Sequence, residues 1–356
     1  DLVNPSVLVN ARPVIAALNE FFRSNQLSVI LDQTNPLSEI DNLRRLSVMG
    51  PGGITKERAS FSIRDINASQ YGRIDPIRSP EGPNIGLVTY MALYARVNEF
   101  GFLESPYRKV EKVTTGSKTK MRVTDEVVYL AADDEENYKI THASIKTDEG
   151  GFIIDSWVPM RTGGEFTEGP VDAIDFIDLT PRQVVGISAS LIPFLPHDEA
   201  NRALMGTHMQ CQAVPLIKPE AAYVGTGMEE IIASSMGRVV KSKNTGTVSY
   251  VDSSKVEVTQ DGSKQKDVYE LEKFMRTSQS TCFNQRAIVN VGDKVKKGDL
   301  LIDGPASDGG EIALGQNLLI AYTSFEGLGF EDAIVISDRL VKEDVLTSIH
   351  IEEYES

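Results

Sequence analysis

Between Phe21 and Leu87 the chain sets an apolar helix, an arginine pair, a glycine turn and a Pro/Gly loop in direct succession: FFRSNQLSVILDQTNPLSEIDNLRRLSVMGPGGITKERASFSIRDINASQYGRIDPIRSPEGPNIGL. Few folds need all four. Asn10 can cap a helix running to about Arg23, and Asn35 before Pro36 starts a second, with Leu37, Ile40, Leu43 and Leu46 at near-helical spacing. On that second helix Asn42 and Arg45 fall away from the apolar stripe and Arg44 flanks it, so a polar edge is free to meet a ligand or strand. Gly50-Pro51-Gly52-Gly53 ends the helix in a projecting loop, because glycine permits positive φ and proline stops a helix. Lys56, Glu57, Arg58 and Phe61 follow, with two readings open: a nucleic-acid backbone and base contact, or a solvated turn with Phe61 tucked into the core. The Ser79–Gly86 loop, with two prolines and two glycines, is either a rigid loop beside a site or a plain surface connection.

The net charge of −15 runs against nucleic-acid binding, which depends on Lys and Arg displacing counterions. The distribution says otherwise. From Arg44 to Pro80 seven cations (Arg44, Arg45, Lys56, Arg58, Arg64, Arg73, Arg78) face three acids (Glu57, Asp65, Asp75), a local +4 on a remainder of −19. One basic face on an acidic body is the expectation. Cys211 and Cys282 form no CxxC pair, so neither a disulfide framework nor a Cys-rich zinc site is indicated, and a reducing cytoplasm fits. No apolar run approaches the ~20 residues of a membrane span. Asp1 in place of Met, with no basic apolar leader, leads us to expect an internal piece of a longer, non-secreted chain.

Residues from about Tyr94 to Thr180 read as β-rich, with apolar runs at Glu126–Leu130 and Phe152–Ile154. Asp133-Asp134-Glu135-Glu136 reads as a solvated loop rather than a metal site. Thr180-Pro181 and Pro196-His197-Asp198 open further helices; the latter places Asn201, Met205 and His208 or Met209 on one face beside Arg202. His208 and Cys211, at i and i+3, suit core packing and hydrogen bonding, with zinc a weaker alternative. Asn290–Gly304 alternates apolar residues around glycine turns as a small β-barrel does, and no Met-flanked lysine marks it as a carrier domain. A strand pair is expected at Asn317–Tyr322 and Ala333–Ser337, with Glu331 and Asp332 in the joining loop either solvated or steering Mg²⁺ through waters.

Five further segments, HDEANRALMGTHMQCQAVP (197–215), VGTGME (224–229), GDLLIDGP (298–305), GEIALGQN (310–317) and GFEDAIVISDR (329–339), join the first in order. Together they resemble the bacterial DNA-directed RNA polymerase β subunit family over essentially the whole chain, least between about Lys109 and Asp178. The resemblance implies a multidomain α+β fold: a helical fork domain (1–97), a β-rich external domain (98–178) and a mixed α/β hybrid-binding region with small, truncated barrels (179–356). It implies part of a transcription enzyme, a nucleotidyltransferase, with the chain inactive alone. Implied partners are the β′, α, omega and sigma subunits, the DNA template, the RNA–DNA hybrid and NTPs. Mg²⁺ is implied to be held mainly by β′. A cytoplasmic, nucleoid-associated protein with no membrane contact follows. A non-catalytic nucleic-acid-binding or assembly module on the same scaffold is the alternative, and the sequence after Ser356 would discriminate.

Residue by residue, the resemblance implies that Lys56 and Arg58 lie on the fork loop bordering downstream DNA, with Arg45 and Arg73 among the nucleic-acid contacts. Arg202 takes the incoming triphosphate, Glu331 and Asp332 lie near the nucleotide-borne Mg²⁺ without binding it directly, and Gln212 lies near the RNA path. The rifamycin-pocket positions are Gln26, Leu27, Val29, Ile30, Asp32, Asn42, Arg45, Ser47, Met49, Pro80, Asn84 and Val88. Val29, Ile30 and Asn42 stand where the family usually has Gln, Phe and His; His208 and Cys211 stand where Asn and Arg are usual.

Overall fold

Helix starts follow local chemistry in the computed structural model, which describes residues 8–115, 118–263 and 265–355. The first long helix is Arg12–Ser24, with Asn10 Oδ1 accepting from the Arg12 N–H at 3.1 Å. Its apolar stripe (Val14, Ile15, Leu18, Phe21, Phe22) is exposed. Asn35 caps the next helix, Pro36–Leu43: its Oδ1 accepts from Ser38 N at 2.8 Å while Ser38 Oγ accepts from Asn35 N at 3.2 Å. That helix stops earlier than the leucine spacing predicts. Leu37 is fully buried and Leu43 exposed, and Leu46 lies in a strand, Arg45–Ser47, paired antiparallel with Val88–Tyr90. Here the sheet partner outweighs helical periodicity.

The β-rich region is built on a seven-stranded sheet. Its path runs Arg96–Val97, Leu103–Thr115, Phe176–Asp178, Ile140–Thr141, Trp157–Thr162, Glu165–Pro170, with Lys118–Ala131 also paired to Leu103–Thr115. One face buries Val110, Met121, Ile153, Val158, Met160, Ile174 and Ile177. The acidic run is corrected here: Ala132–Glu135 is a short helix, and Glu135 turns inward. Arg73 Nη2 meets Glu135 at 2.6 Å, and Arg161 Nη2 meets Glu135 at 3.0 Å and Asp178 at 3.5 Å. Tyr107 OH donates to Glu135 at 2.9 Å and Tyr71 OH to Asp178 at 2.8 Å. Two guanidiniums balance two carboxylates away from water, so neither side can be removed cheaply.

Two smaller sheets follow. Gly246–Val251, Lys255–Gln260, Lys266–Glu270 and Lys294–Val295 form one; Val240–Lys241, Leu300–Asp303 and Arg286–Ala287 form the other. They share a core of Val248, Val256, Val258, Tyr269, Val295, Leu301 and Ile302. The alternating pattern is therefore a pair of packed sheets, and among the described residues it closes no barrel. The expected strands at 317–322 and 333–337 are not formed: both segments lack regular pairing, and Leu319, Ile320, Tyr322, Ile334, Val335 and Ile336 are exposed. Alternation alone gives no strand when no neighbour supplies its hydrogen bonds.

Helices meet in a third core containing Leu37, Leu191, Cys211, Met228, Ile232 and Ile312. At its polar heart lies Asp41. Its Oδ2 accepts from Arg78 Nε at 3.0 Å and from the Cys211 thiol at 3.5 Å; its Oδ1 accepts from Ser188 Oγ at 3.0 Å. Burial first, then the Asp41 charge, pushes the Cys211 thiol up to about 12.

Two outcomes follow from these buried clusters. Glu135→Gln should cost about 3 kcal/mol, read as a lower urea midpoint by fluorescence of the single tryptophan, Trp157, in the same sheet; an unchanged midpoint would show the network to be idle. In a Cys282→Ser background, Cys211 should react with a thiol reagent at pH 8 roughly a thousandfold slower in the native chain than after unfolding, since its thiolate fraction is only about 10⁻⁴. Equal rates would contradict the burial and pairing described.

Candidate nucleic-acid and nucleotide interface

The loop after the Arg45–Ser47 strand is fixed by glycine. Gly53 N–H donates to Gly50 O at 2.9 Å and Ile54 N–H to Val48 O at 3.0 Å. A Cβ at Gly53 would sit 2.4 Å from Val48 O, and Gly50 has φ of 132°. This tight turn projects Lys56–Arg58, a single 3₁₀ turn whose three side chains are exposed. Among the described residues Lys56 and Arg58 have no ion pair. Phe61 is 89% exposed, which corrects the reading that tucks it into the core. Arg64 Nη1 donates to the Pro83 and Ile85 carbonyls at 2.7 and 2.8 Å, pinning the Ser79–Gly86 loop beside the same turn. Ser79 Oγ closes that loop from within, accepting from Gly86 N at 3.0 Å.

The seven cations divide into two groups, so the single basic patch is corrected. Arg73 is 3% exposed, bonded to the Leu103, Ser69, Tyr71 and Leu130 carbonyls as well as Glu135, and cannot reach nucleic acid. Arg78 is buried on Asp41, Arg44 donates to the Ala92 and Leu93 carbonyls, and half-buried Arg64 is held on those of Pro83 and Ile85. Arg45, Lys56 and Arg58 remain exposed. The signal separating these groups is long-range, since the partners of Arg73 and Arg78 lie on distant segments.

Of the other positions singled out, Ser47 lies opposite Val88 in the strand pair and Val48 N–H donates to Leu87 O at 3.1 Å, bringing Ser47, Met49, Asn84 and Val88 to one corner. Val88 is fully buried, Pro80 and Asn84 are half-buried, and Asn84 Oδ1 is buried with no partner. Gln26, Leu27, Val29 and Ile30 are exposed; Asp32 and Asn42 are half-buried, with Asp32 Oδ1 accepting from Thr34 Oγ1 at 2.9 Å.

Arg202 sits in the first turn of the Ala200–Gln212 helix, whose cap is Glu199: Arg202 N–H donates to Glu199 Oε2 at 3.1 Å. Its guanidinium is exposed, it contacts Met205 Sδ at 3.5 Å, and among the described residues no carboxylate pairs with it. Gln212 is exposed at the far end. His208 is half-buried, its Nδ1 unpartnered, and burial followed by the charge of Arg78 lowers its proton affinity. Cys211 is committed to Asp41, and the described residues hold no cluster of three or more His, Cys, Asp or Glu fit to bind a metal. Glu331 and Asp332 are exposed, with left-handed φ of 56° and 63°. Among the described residues no hydrogen bond or ion pair joins Arg202, Gln212, Glu331 and Asp332 to one another.

Sequence reasoning missed Asn35 as more than a helix start. Its Nδ2 reaches the Gln210, Cys211 and Ala213 carbonyls at 3.0, 3.2 and 2.8 Å, a contact across some 175 residues that no local pattern announces. No helix among the described residues is long and apolar enough to cross a membrane.

Three family models match the chain: RNA polymerase Rpb2, domain 3, over residues 29–97; the RNA polymerase beta subunit external 1 domain over 107–180; and RNA polymerase Rpb2, domain 6, over 241–356. The DNA-directed RNA polymerase subunit beta of Acetivibrio thermocellus is 53% identical over 357 residues, and that of Caldicellulosiruptor saccharolyticus 53% over 355. The Syntrophomonas wolfei protein of the same name is 51% identical over 355 residues. Each alignment covers 100% of this chain but only 28%, 28% and 31% of the relative. The motif order, the three matched domains and the identity along the full chain agree: this chain belongs to the bacterial DNA-directed RNA polymerase β subunit family.

Proposed function

We propose that the chain works as part of the β subunit of a multisubunit RNA polymerase, contributing a fork loop, hybrid contacts and nucleotide positioning to DNA-templated RNA synthesis. In that reaction the RNA 3′-OH attacks the α-phosphate of an NTP and pyrophosphate leaves. The observation that carries the reading is Arg202, an exposed guanidinium with no carboxylate partner among the described residues, on a helix anchored at its opposite end. A planar guanidinium can grip two phosphate oxygens at once, so charge shifting toward the leaving group is met by a fixed donor pair. Lys56 and Arg58, exposed on a glycine-fixed turn beside Phe61, suit a phosphate backbone and a stacked or splayed base. Gln212 would lie along the RNA, and Arg45 beside the nucleic acid.

Mg²⁺ would supply charge neutralisation on the phosphates, and its ligands must come chiefly from a partner chain, β′ in our reading. With α, omega and sigma completing the assembly, the protein would act in the cytoplasm on nucleoid DNA. The corner formed by Ser47, Met49 and Asn84, backed by the buried Val88 and carrying the unpartnered Asn84 Oδ1, suits the rifamycin pocket.

In the assembled enzyme Arg202→Ala should lower kcat/KM for NTPs roughly a hundredfold, the loss of one charge-assisted bidentate contact of about 2–3 kcal/mol. Arg202→Lys should recover only part, because an ammonium lacks the planar fork. Unchanged NTP use by the Ala variant would defeat the assignment. Rifampicin should inhibit the native enzyme weakly, by roughly 30- to 1000-fold relative to a Val29→Gln, Ile30→Phe, Asn42→His triple variant, since two polar contacts and an aromatic face are missing. Nanomolar inhibition of the native enzyme, or no gain in the variant, would refute this.

A further inference from the structure

The Ala200–Gln212 helix is held mainly from one side and one end. Ala203, Thr207 and Cys211, at i, i+4 and i+8, form its buried stripe, while the first turn is exposed and capped by its own neighbour Glu199. The last carbonyls of any helix lack intrahelical donors. Here Asn35 Nδ2 supplies them, reaching the Gln210, Cys211 and Ala213 oxygens within 3.2 Å. The other end of the same amide, Oδ1, caps the start of the Pro36–Leu43 helix through Ser38 N. Asn35 is 2% exposed, so both halves of the amide are committed away from water, where a lost bond is not replaced by solvent. One side chain thus joins the beginning of the Pro36–Leu43 helix, the fork helix of the proposed function, to the end of the helix that carries Arg202. Asp41, six residues further along the Pro36–Leu43 helix, repeats the connection through the Cys211 thiol and Ser188.

A helix transmits such a grip as a rod. Arg202 and Gln212 are ten residues apart, about 15 Å at 1.5 Å per residue, so a small tilt at the clamped end displaces the guanidinium at the free end. Misplacement by about 1 Å is enough to cost two orders of magnitude where a reacting group must be aligned.

We propose that Asn35 is a positioning residue: its amide N–H₂ sets where Arg202 meets the triphosphate and couples that placement to the fork helix. The proposal rests on the reading of Arg202 as the triphosphate contact.

Asn35→Asp separates the two roles of the amide, because Asp keeps the acceptor that caps the Pro36–Leu43 helix and loses the donor to the three carbonyls. In the assembled polymerase it should raise KM for NTPs by ~10-fold or more at temperatures where the enzyme stays folded. In an Arg202→Ala background the same substitution should add less than ~2-fold, since the contact it positions is already gone. A merely structural Asn35 would lower Tm and change NTP use by the same factor in both backgrounds, and that additive result would overturn the proposal, as would an unchanged KM. Should Asn35→Asp not assemble, Asn35→Ser, a good cap whose hydroxyl is too short to span the three carbonyls, takes its place in the same cycle. Failure of both to assemble would assign Asn35 to folding alone and also overturn it. The reading of Arg202 fails separately, when Arg202→Ala alone leaves NTP use unchanged.

Discussion

A carboxylate taken out of water must be paired, and the Asp41 carboxylate organises the centre of this chain through that requirement. Its two oxygens accept from Arg78, Ser188 and Cys211, groups that come from the segment before the Ser79–Gly86 loop, the short Ile187–Ser190 helix and the Ala200–Gln212 helix. Removing any one donor leaves charge or lone pairs uncompensated in a site where water does not enter. Three segments far apart in sequence are thereby held in one arrangement. Cys211 fits this arrangement as a neutral donor: Arg78 already supplies the one buried cation that Asp41 needs, and a second would lack a counter-charge.

Helix starts were legible in the sequence because their chemistry is local. Asn35-Pro36 carries a cap acceptor and a preset φ, and the helix begins there. Leu46 was misjudged because helical spacing competes with a strand partner that enters forty residues later, at Val88–Tyr90. Glu135 illustrates the same limit: four acids in a row suggest solvent, yet one of them faces two arginines brought from residues 73 and 161 by sheet pairing. Arg73 and Arg58 are alike as letters, and only the carbonyls that surround the first distinguish a structural cation from an available one. The exposed side chains of the candidate site, Lys56, Arg58 and Arg202, were the more readable part, since a glycine turn or a helix start places them without distant partners. Asn35's second set of bonds was unreadable for the opposite reason.

The two ionic centres divide the cations economically between architecture and surface. Arg73, Arg161 and Arg78 are consumed by Glu135, Asp178 and Asp41, so these three cations offer nothing to a nucleic acid and leave the net charge of −15 unchanged. Of the cations between Arg44 and Pro80, only Arg45, Lys56 and Arg58 stay exposed for a polyanion, and Arg202 adds one at a helix start. A few well-placed cations on an otherwise acidic body favour a defined docking geometry over diffuse attraction.

The unpaired, apolar segments at 317–322 and 333–337 have a colloidal consequence. With no strand partner among the described residues and Leu319, Tyr322 and Ile334 on the surface, each copy offers others a sticky apolar edge. The charge of −15 is what keeps copies apart, and its reach shrinks from about 30 Å at 0.01 M salt to about 8 Å at physiological salt. Added salt therefore weakens repulsion while leaving the apolar attraction in place, so solutions of this chain become more prone to self-association as ionic strength rises.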